Sequence, residues 1–450
     1  MHVCVVGLGY VGLVTACCFA KMGHHVIGLD TDRAKVQALQ QGKLPFFETG
    51  LDTLLEEVLL KSRLTFVDDY TQALQTTTMI FVCVPTPMQA CGNCDLSFVF
   101  DSVEKFIKKM QNPSLIIIKS TIPPGTCRQI KKQMQMILEK EGFLKDFDII
   151  SNPEFLSQGT AIENCLNPDR IIIGVENKES QSKMLAFYQR IHGKNVKILI
   201  MPYSSAEIVK YAANAMLAMR ISYMNEIAHL AEYCDADIEK IALGIGTDNR
   251  IGHHHLEAGL GFGGSCFPKD LSALEKMYEN YIEPSKILSS IREVNHLCHQ
   301  RLIKKMEDYY QTKSFGDFTF AILGFSFKPN TDDIRYSPTI ELVRYLSSKR
   351  AKIHIYDPIC YKKMLHFYSS KKRIKPCSTI EQATNNADGV ILCTKWPEFQ
   401  NINFQKMIDN LCRKVIFDGR NYLRNKVEDL DVDYIGIGYK KLKNLKLAHV

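Results

Sequence analysis

The chain alternates short apolar runs with longer amphipathic segments over roughly its first 200 residues. The short runs have the length and composition of buried parallel strands, and they lie at 2–6, 25–29, 64–67, 79–84, 114–119, 147–151 and 170–175. Stretches with helical periodicity, such as 50–61 and 126–141, separate them. Strands that alternate with helices predict a doubly wound α/β domain.

Two long helical patterns then interrupt the alternation. The first covers about 206–234 and opens with Ser204-Ser205-Ala206-Glu207, which resembles a capping box. At 1.5 Å per residue this helix would be about 40 Å long, which is enough to bridge two domains. The second pattern covers 284–311.

The strand–helix alternation returns after Gly316. Apolar runs lie at 319–324, 352–357, 389–393 and 415–418, and Ser337-Pro338 has the cap and first-turn residues of a helix. We therefore expect an α/β protein with two Rossmann-like doubly wound domains joined by a long central helix. The predicted domain boundaries are 1–203, 204–312 and 313–450.

Length and composition fit a protein of more than one globular domain, since 450 residues are too many for one core. No apolar run approaches the roughly 18 residues of a membrane span, and the chain starts directly with a strand, so we expect neither membrane association nor a signal peptide.

The fifteen cysteines are scattered, mostly in apolar segments, which favours the cytoplasm. The net charge of +7 is dispersed; it suits an anionic small substrate better than nucleic acid.

The first strand leads into a dinucleotide-binding fingerprint. Gly7-Leu8-Gly9-Tyr10-Val11-Gly12 follows the strand and opens a helix, and Asp30 ends the next strand, 23 residues after Gly7. In this pattern the glycines make the turn, admit the pyrophosphate and let the helix pack on the sheet. Asp30 would bind both ribose hydroxyls and repel a 2′-phosphate. The motif therefore predicts NAD as the cofactor.

A glycine-rich loop in the middle of the chain ends in a single cysteine. The segment Gly261-Phe262-Gly263-Gly264-Ser265-Cys266 precedes a helix that Pro268 would start. The positive end of that helix would favour a thiolate at Cys266, and the glycines would let a ligand approach the backbone. The alternative is a tight turn with a buried cysteine. The dinucleotide motif makes a nucleophilic role the better interpretation.

These motifs resemble those of the UDP-glucose/GDP-mannose dehydrogenase family, and the resemblance covers nearly the whole chain. The matching segments are GLGYVG at 7–12, STIPPGT at 120–126, NPEFLSQGTAI at 152–162, KYAANAMLAMRISYMNEIA at 210–228, GFGGSCFPKD at 261–270, GFSFKPNTDDIR at 324–335 and FDGRN at 417–421. The form GFGGSC is more similar to the UDP-glucose branch than to the N-acetylhexosamine branch. The resemblance implies an NAD-binding domain, a central dimerisation domain and a UDP-sugar-binding domain.

The resemblance also implies an activity, namely two successive NAD-dependent oxidations of UDP-glucose to UDP-glucuronate through a thiohemiacetal and a thioester on Cys266. The residues it implicates in catalysis are Cys266, Lys210, Glu154, Asn214, Asp270 and Thr121. Those implicated in cofactor binding are Gly7, Leu8, Gly9, Tyr10, Val11, Gly12, Asp30, Lys35, Val84, Pro85, Thr86, Pro87, Thr121, Gln158 and Arg335. Those implicated in substrate binding are Glu154, Phe155, Leu156, Lys210, Asn214, Arg250, Glu257, Ala258, Gly259, Leu260, Gly261, Phe262, Gly263, Phe327, Lys328 and Arg420.

Three alternative functions stay open at this point. The first is a 6-dehydrogenase for GDP-mannose or a UDP-N-acetylhexosamine, and the second is an NAD-dependent hydroxyacid dehydrogenase, which would need no cysteine. The third is a catalytically silent sensor of NAD and nucleotide sugars.

In the family the residue that matches Arg250 reaches into the neighbouring subunit, so the resemblance implies a homodimer or a larger homo-oligomer.

The sequence departs from the family at several positions. Gln158 stands where glutamate is usual, so a catalytic proton role there is not expected, and Pro85 replaces a commoner small or polar residue.

Two segments contain residues that can bind metal ions. Cys91-Gly92-Asn93-Cys94 lacks a second ligand pair, and the side chains of His253-His254-His255 point in different directions. We therefore expect no metal site.

Overall fold

The computed structural model describes residues 1–74, 77–110, 114–142, 146–193 and 196–443. Residues 444–450, at the end of the third predicted domain, lie outside the described residues. The chain divides into two units: Met1–Ala213 with Ser272–Tyr281, and Asn214–Leu271 with Ile282–Val450. Among the described residues, no helix is both long enough and apolar enough to cross a membrane.

Eight strands form the sheet of the first unit. They are β1 (His2–Val6), β2 (His25–Leu29), β3 (Leu64–Val67), β4 (Met79–Val82), β5 (Ser114–Ile118), β6 (Phe147–Ser151), β7 (Ile171–Gly174) and β8 (Ile198–Met201). Their order is β3-β2-β1-β4-β5-β6-β7-β8, and the β6–β7 pair is antiparallel whereas the others are parallel. The central strands are buried on both faces, which explains their unbroken apolar runs. The sequence pattern missed β8, an edge strand that is only partly buried.

Among the described residues before residue 203, this unit contains eight helices. They are α1 (Tyr10–Lys21), α2 (Arg33–Gln40), α3 (Leu51–Leu60), α4 (Tyr70–Leu74), α5 (Ser97–Lys109), α6 (Thr126–Glu141), α7 (Ala161–Leu166) and α8 (Lys178–His192). α1 is buried from Gly12 to Ala20, since it packs on the sheet and against α3 and α7. This burial on all sides matches its uniformly apolar sequence.

The middle of the chain is helical, as the sequence predicts. The helices are α9 (Tyr203–Tyr233), α10 (Ile238–Gly246), α11 (Phe267–Tyr281) and α12 (Lys286–Tyr310). The division between the two units falls within α9, after Ala213.

The predicted capping box at the start of α9 is wrong. Ser204 lies inside the helix, so it cannot be its N-cap. The carboxylate of Glu207 instead accepts hydrogen bonds from Gly125 N (2.6 Å) and Cys127 N (2.8 Å) at the start of α6. α6 begins after a glycine, which has no capping side chain, so a residue 80 positions away supplies the acceptor.

The second unit repeats the strand–helix alternation. Its elements are β9 (Thr319–Leu323), α13 (Pro338–Ser348), β10 (Lys352–Tyr356), α14 (Tyr361–Tyr368), β11 (Ile374–Cys377), α15 (Ile380–Thr384), β12 (Gly389–Leu392), a 3₁₀ turn (Pro397–Asn401), α16 (Phe404–Asp409), β13 (Val415–Asp418), α17 (Arg424–Val427), β14 (Asp433–Ile435) and β15 (Lys440–Lys441). The order is β11-β10-β9-β12-β13-β14-β15, with only the last pair antiparallel. Ser337 caps α13, as predicted.

The two sheets share one topology. In each, the first strand lies centrally, the next two extend to one side, and the fourth returns to the other side of the first. The direction in which successive strands are added to the sheet thus reverses between β1 and β4, and between β9 and β12. Ligands of such sheets bind at the carboxyl ends of the strands near this reversal. The predicted fold class, two doubly wound α/β sheets with a long helix between them in the chain, is confirmed.

The buried imidazole of His24 predicts acid sensitivity of the first unit. His24 is 1% exposed and stacks on Phe187 with ring centroids 4.9 Å apart. Burial, together with the nearby N-terminal ammonium, lowers the pKa of His24 to about 4. In the unfolded chain His24 has an ordinary pKa near 6.5, so it binds a proton more tightly there than in the folded state. The free energy of unfolding therefore falls as the pH falls from about 6.5 to 4.

We expect His24→Phe, which keeps a ring against Phe187, to lose less stability than the wild type between pH 7 and pH 4.5. The difference should be roughly 2 kcal/mol, since one pKa unit corresponds to about 1.4 kcal/mol. Urea unfolding at both pH values measures it. His366→Phe, at an exposed histidine of α14, is the matched control. Equal losses in wild type and His24→Phe would show that His24 does not govern this pH dependence.

Candidate active site

The turn after β1 has the geometry of a dinucleotide cradle. Gly7 has φ +84°, a conformation that favours glycine, and a Cβ on Gly12 would lie 1.8 Å from the Gly7 carbonyl oxygen. α1 can therefore pack against the turn only because residue 12 is glycine. At Gly9 the position of a Cβ is open, with no heavy atom within 4 Å. The backbone N–H groups at the start of α1 are thus accessible to an anionic group.

Asp30 directly follows β2, beside this turn. Its carboxylate accepts hydrogen bonds from Leu8 N (2.8 Å) and Lys35 Nζ (2.7 Å), so two predicted cofactor residues hold a third in place. Asp32 N donates to the other carboxylate oxygen at 3.0 Å. The side chain is only 10% exposed, which fixes its orientation at the edge of the cradle.

The loops after β4 and β5 converge on the same turn. A Cβ on Gly7 would lie 2.9 Å from the Cα of Val84, and Ser120 Oγ donates to the Val84 carbonyl at 2.7 Å. The thiol of Cys94 lies 3.7 Å from the Thr86 carbonyl oxygen and 3.9 Å from that of Thr121. The structure therefore brings the predicted cofactor segment 84–87 together with Thr121. Cys94, of the CxxC segment, packs between them.

Glu154 and Lys210 form a buried ion pair in the first unit. Lys210 Nζ lies 3.2 Å from Glu154 Oε1, and the two side chains are 4% and 7% exposed. The other carboxylate oxygen of Glu154 accepts from Leu156 N. Two cations lie close to the Phe155 ring, with the Arg170 guanidinium carbon 3.7 Å and Lys210 Nζ 5.3 Å from its centroid. Charges this deeply buried must be paired, so each partner holds the other in a defined position.

Asp270 and Asn214 form the corresponding buried pair in the second unit. Asn214 Nδ2 donates to Asp270 Oδ2 at 2.6 Å, and Lys269 Nζ lies 2.5 Å from Oδ1. Asp270 is 1% exposed and lies in the first turn of α11. Cys266 directly precedes that helix, is half-buried, and has its sulfur 3.7 Å from Ser265 Oγ. The thiol therefore lies at the positive end of the helix, as predicted from the sequence.

The glycine-rich loop before Cys266 is held by close packing. Cβ atoms on Gly263 and Gly264 would lie 2.3 Å from the Tyr336 carbonyl oxygen and 2.7 Å from the Phe327 ring. Arg420, a predicted substrate residue, donates to the Gly261 carbonyl at 3.1 Å. The structure thus brings Phe327, Arg420 and the loop 257–263 together in the second unit.

Two residues that hold these loops were missed by sequence reasoning. Asn295 of α12 accepts from Phe262 N (2.7 Å) and donates to the Phe262 carbonyl (3.1 Å). Glu48 binds the segment that follows Gln158 through Gly159 N at 2.6 Å. Both contacts join positions that are distant in sequence, so no local motif could have indicated them.

Several predicted residues lie outside these clusters or at their margins. The Arg250 side chain is 89% exposed and pairs with Asp248. Arg335, 60% exposed, pairs with Asp333, and Glu257 pairs with Lys395. Lys328 Nζ lies 5.7 Å from the centroid of the Phe327 ring. The described part of the chain contains no group of three or more His, Cys, Asp or Glu side chains that could hold a metal ion.

A glycine cradle for a dinucleotide, a second doubly wound sheet and a cysteine loop define a nucleotide-dependent dehydrogenase. Sequence models of three family domains match the chain: the NAD binding domain at residues 1–192, the central domain at 204–297 and the UDP binding domain at 321–425. The chain belongs to the UDP-glucose/GDP-mannose dehydrogenase family, and it is an NAD-dependent oxidoreductase. The open space at Gly9 and the carboxylate of Asp30 fit NAD.

Similar proteins match over their full lengths. The chain is 37% identical to a UDP-glucose 6-dehydrogenase of Rickettsia typhi over 98% of this chain and 100% of that protein. It is 34% identical to a UDP-glucose 6-dehydrogenase of Pseudomonas aeruginosa over the whole of both chains. The structure of a UDP-glucose dehydrogenase from Pyrobaculum islandicum superposes with a TM-score of 0.88 at 32% identity, covering 97% of this chain and 98% of the other.

The buried carboxylate of Asp30 predicts the choice between NAD and NADP. A 2′-phosphate placed beside it would be repelled, so we expect NAD to be preferred by at least tenfold in kcat/KM, or about 1.4 kcal/mol. Asp30→Ala should narrow this ratio, and Asp52→Asn, an exposed acid of α3, should leave it unchanged. Steady-state kinetics with both cofactors measure the ratio. Equal kcat/KM values in the wild type would contradict the prediction.

Proposed function

We propose that this chain is a UDP-glucose 6-dehydrogenase that oxidises the primary alcohol of UDP-glucose twice, to UDP-glucuronate. The observation that carries this proposal is Cys266 at the end of its glycine loop, directly before α11 and four residues from the buried Asp270. A simple alcohol dehydrogenase needs no such thiol. The full-length relatives named above carry the proposed activity in their names.

Cys266 makes the second oxidation possible in this proposal. Its thiolate adds to the carbonyl carbon of the aldehyde that the first oxidation leaves, and the resulting thiohemiacetal retains one C–H bond. Loss of that hydrogen as hydride leaves a thioester on Cys266. Water then releases the acid and restores the thiol, so one difficult step is divided into easier ones. NAD, when bound, supplies the hydride acceptor in each oxidation.

The buried polar groups have complementary roles. Lys210 and Asn214 lie one turn apart on α9, and we assign them to the stabilisation of the developing oxyanion. Glu154 is assigned as the general base, with hydrolysis of the thioester as its principal step. Asp270 and Thr121 are assigned to the positioning of water. The ion pair between Glu154 and Lys210 supports these roles, because it holds the two buried side chains next to each other in a defined position.

The second unit is proposed to bind the UDP-sugar. The match to the family's UDP binding domain supports this assignment. The half-buried guanidinium of Arg420, which donates to the Gly261 carbonyl of the loop 257–263, supplies a positive charge that suits a diphosphate, and Lys328 adds a cation beside Phe327. The three-part division at 1–203, 204–312 and 313–450 stays a prediction.

The alternatives receive less support. A GDP-mannose or UDP-N-acetylhexosamine dehydrogenase would use the same cysteine, but Ser265 in GFGGSC is more similar to the UDP-glucose branch. A hydroxyacid dehydrogenase would not need Cys266. A silent sensor would be expected to lack Cys266, Lys210 or Glu154, and the chain has all three.

A homodimer is part of the proposal. Met216, Tyr223 and Leu230 are spaced by seven residues on α9, which puts them on one face, and each is more than half exposed. Exposed apolar side chains in such a row favour a helix-to-helix contact with a second copy. Arg250, which pairs with Asp248, has an exposed side chain that is accessible to that copy. The fifteen free thiols support a reducing, cytoplasmic compartment.

A panel of nucleotide sugars tests the proposed substrate. We expect kcat/KM with NAD to be at least tenfold higher for UDP-glucose than for GDP-mannose, UDP-N-acetylglucosamine or UDP-N-acetylmannosamine, because the UDP-glucose form of the cysteine loop is present. NADH absorbance measures the rates. A higher kcat/KM for any of the other three sugars would replace UDP-glucose as the substrate.

Replacement of Glu154 tests the assignment of the base. Glu154→Gln keeps the shape of the side chain but cannot accept a proton, so hydrolysis should slow more than thioester formation. A covalent adduct on Cys266 should then accumulate, visible by mass spectrometry of the denatured protein. Glu179→Gln, at an exposed position of α8, is the matched control. Normal turnover without an adduct in Glu154→Gln would remove Glu154 from the mechanism.

A further inference from the structure

We propose that Glu48 is a positioning residue whose buried carboxylate fixes the loop carrying Glu154 to the dinucleotide turn. The inference rests on the proposed function for its effect on turnover, but its effect on NAD binding requires only the cofactor. Glu48 lies in the connection between α2 and α3, a segment to which the fingerprint and cysteine motifs give no role.

The carboxylate of Glu48 joins three segments that are far apart in the sequence. It is 3% exposed. One oxygen accepts from Gly159 N (2.6 Å) and from the Tyr10 hydroxyl, and the other accepts from Ala161 N (2.8 Å). In the sequence, Tyr10 lies 38 residues, Gly159 111 residues and Ala161 113 residues from Glu48. Hydrogen bonds to an ionised acceptor are roughly twice as strong as neutral ones, so this is a strong tertiary constraint.

The contact with Gly159 and Ala161 holds the end of the Glu154 loop. Ala161 is the first residue of α7, and the preceding residue, Thr160, makes no side-chain capping bond. Glu48 therefore supplies the acceptor that the start of this helix lacks. The segment between Glu154 and Ala161 is consequently fixed at both ends, by Lys210 at one and by Glu48 at the other.

The contact with Tyr10 ties the same carboxylate to the cofactor cradle. Tyr10 is the first residue of α1 and follows Gly9 in the dinucleotide turn. Its hydroxyl donates to Glu48 and accepts from Gly159 N at 3.1 Å, which closes a three-membered network. A displacement of the Glu154 loop would therefore be transmitted to the turn that binds the cofactor. Misplacement of reacting groups by about 1 Å can cost a factor of 100 in rate.

Two variants separate positioning from a purely structural role. Glu48→Gln keeps the volume but leaves one carbonyl oxygen in place of two acceptors, so at least one of the three contacts is lost. Tyr10→Phe keeps both backbone contacts of Glu48 and removes only the link to the cradle. Glu163→Gln, an exposed glutamate in the first turn of the same short helix, is the matched control.

The readouts are the dissociation constant of NADH, measured by fluorescence, kcat with UDP-glucose, and the melting temperature. We expect Glu48→Gln to weaken NADH binding at least fivefold and to lower kcat at least tenfold, while the dissociation constant of UDP stays within twofold. Tyr10→Phe should weaken NADH binding at least threefold, and the double variant should lose no more than the worse single variant, since both act through one network. Glu163→Gln should match the wild type.

Unchanged NADH affinity in both variants overturns the proposal, and so does a fall in melting temperature with NADH affinity and kcat within twofold of the wild type. If Glu48→Gln does not fold, Tyr10→Phe decides by the same criteria. A wild-type enzyme that does not oxidise UDP-glucose refutes the proposed function, whereas the NADH measurements still decide the role of Glu48.

Discussion

Backbone N–H groups at the ends of the strands must find acceptors, and buried carboxylates supply many of them in this protein. The same arrangement occurs in both sheets. Asp30, after β2, accepts from the residue that follows Gly7, and Asp357, after β10, accepts from Phe325 N (2.7 Å), which follows Gly324. An unpaired buried N–H group lowers the stability of the folded state by roughly 1–3 kcal/mol. These two aspartates therefore define the shapes of the turns, and they also set the charge of the turns. The loops that carry the site keep their positions because of these contacts.

The two turns nevertheless differ in what they can bind. Asp357 is 1% exposed and also accepts from the Trp396 indole at 3.1 Å, so its carboxylate is saturated within the protein. Asp30, at 9%, lies at the edge of an open cradle. Repetition of the fold therefore does not imply repetition of the ligand. This difference agrees with an NAD binding domain at the start of the chain and a UDP binding domain near its end.

The periodicity of the sequence predicted most of the fold, because buried parallel strands and amphipathic helices leave local signals. α6 was predicted at the residues where it occurs, and the cap of α13 is correct. Two of the failures have tertiary causes: β8 is a partly exposed edge strand, and Glu207 caps another helix instead of its own. Of the site, the sequence motifs named the charged residues, but they could not indicate Asn295 or Glu48, whose partners lie 33 to 113 residues away.

The central claim is that one cysteine allows one site to carry out two oxidations. The most direct test is the ratio of NADH formed to UDP-glucose consumed, measured for the wild type and for Cys266→Ser, with Cys412→Ser at an exposed cysteine as the control. The account predicts a ratio of two for the wild type and the control, with UDP-glucuronate as the product, and a nearly complete loss of the second oxidation in Cys266→Ser. A wild-type ratio of one with an accumulating free aldehyde, or wild-type turnover in Cys266→Ser, would contradict it.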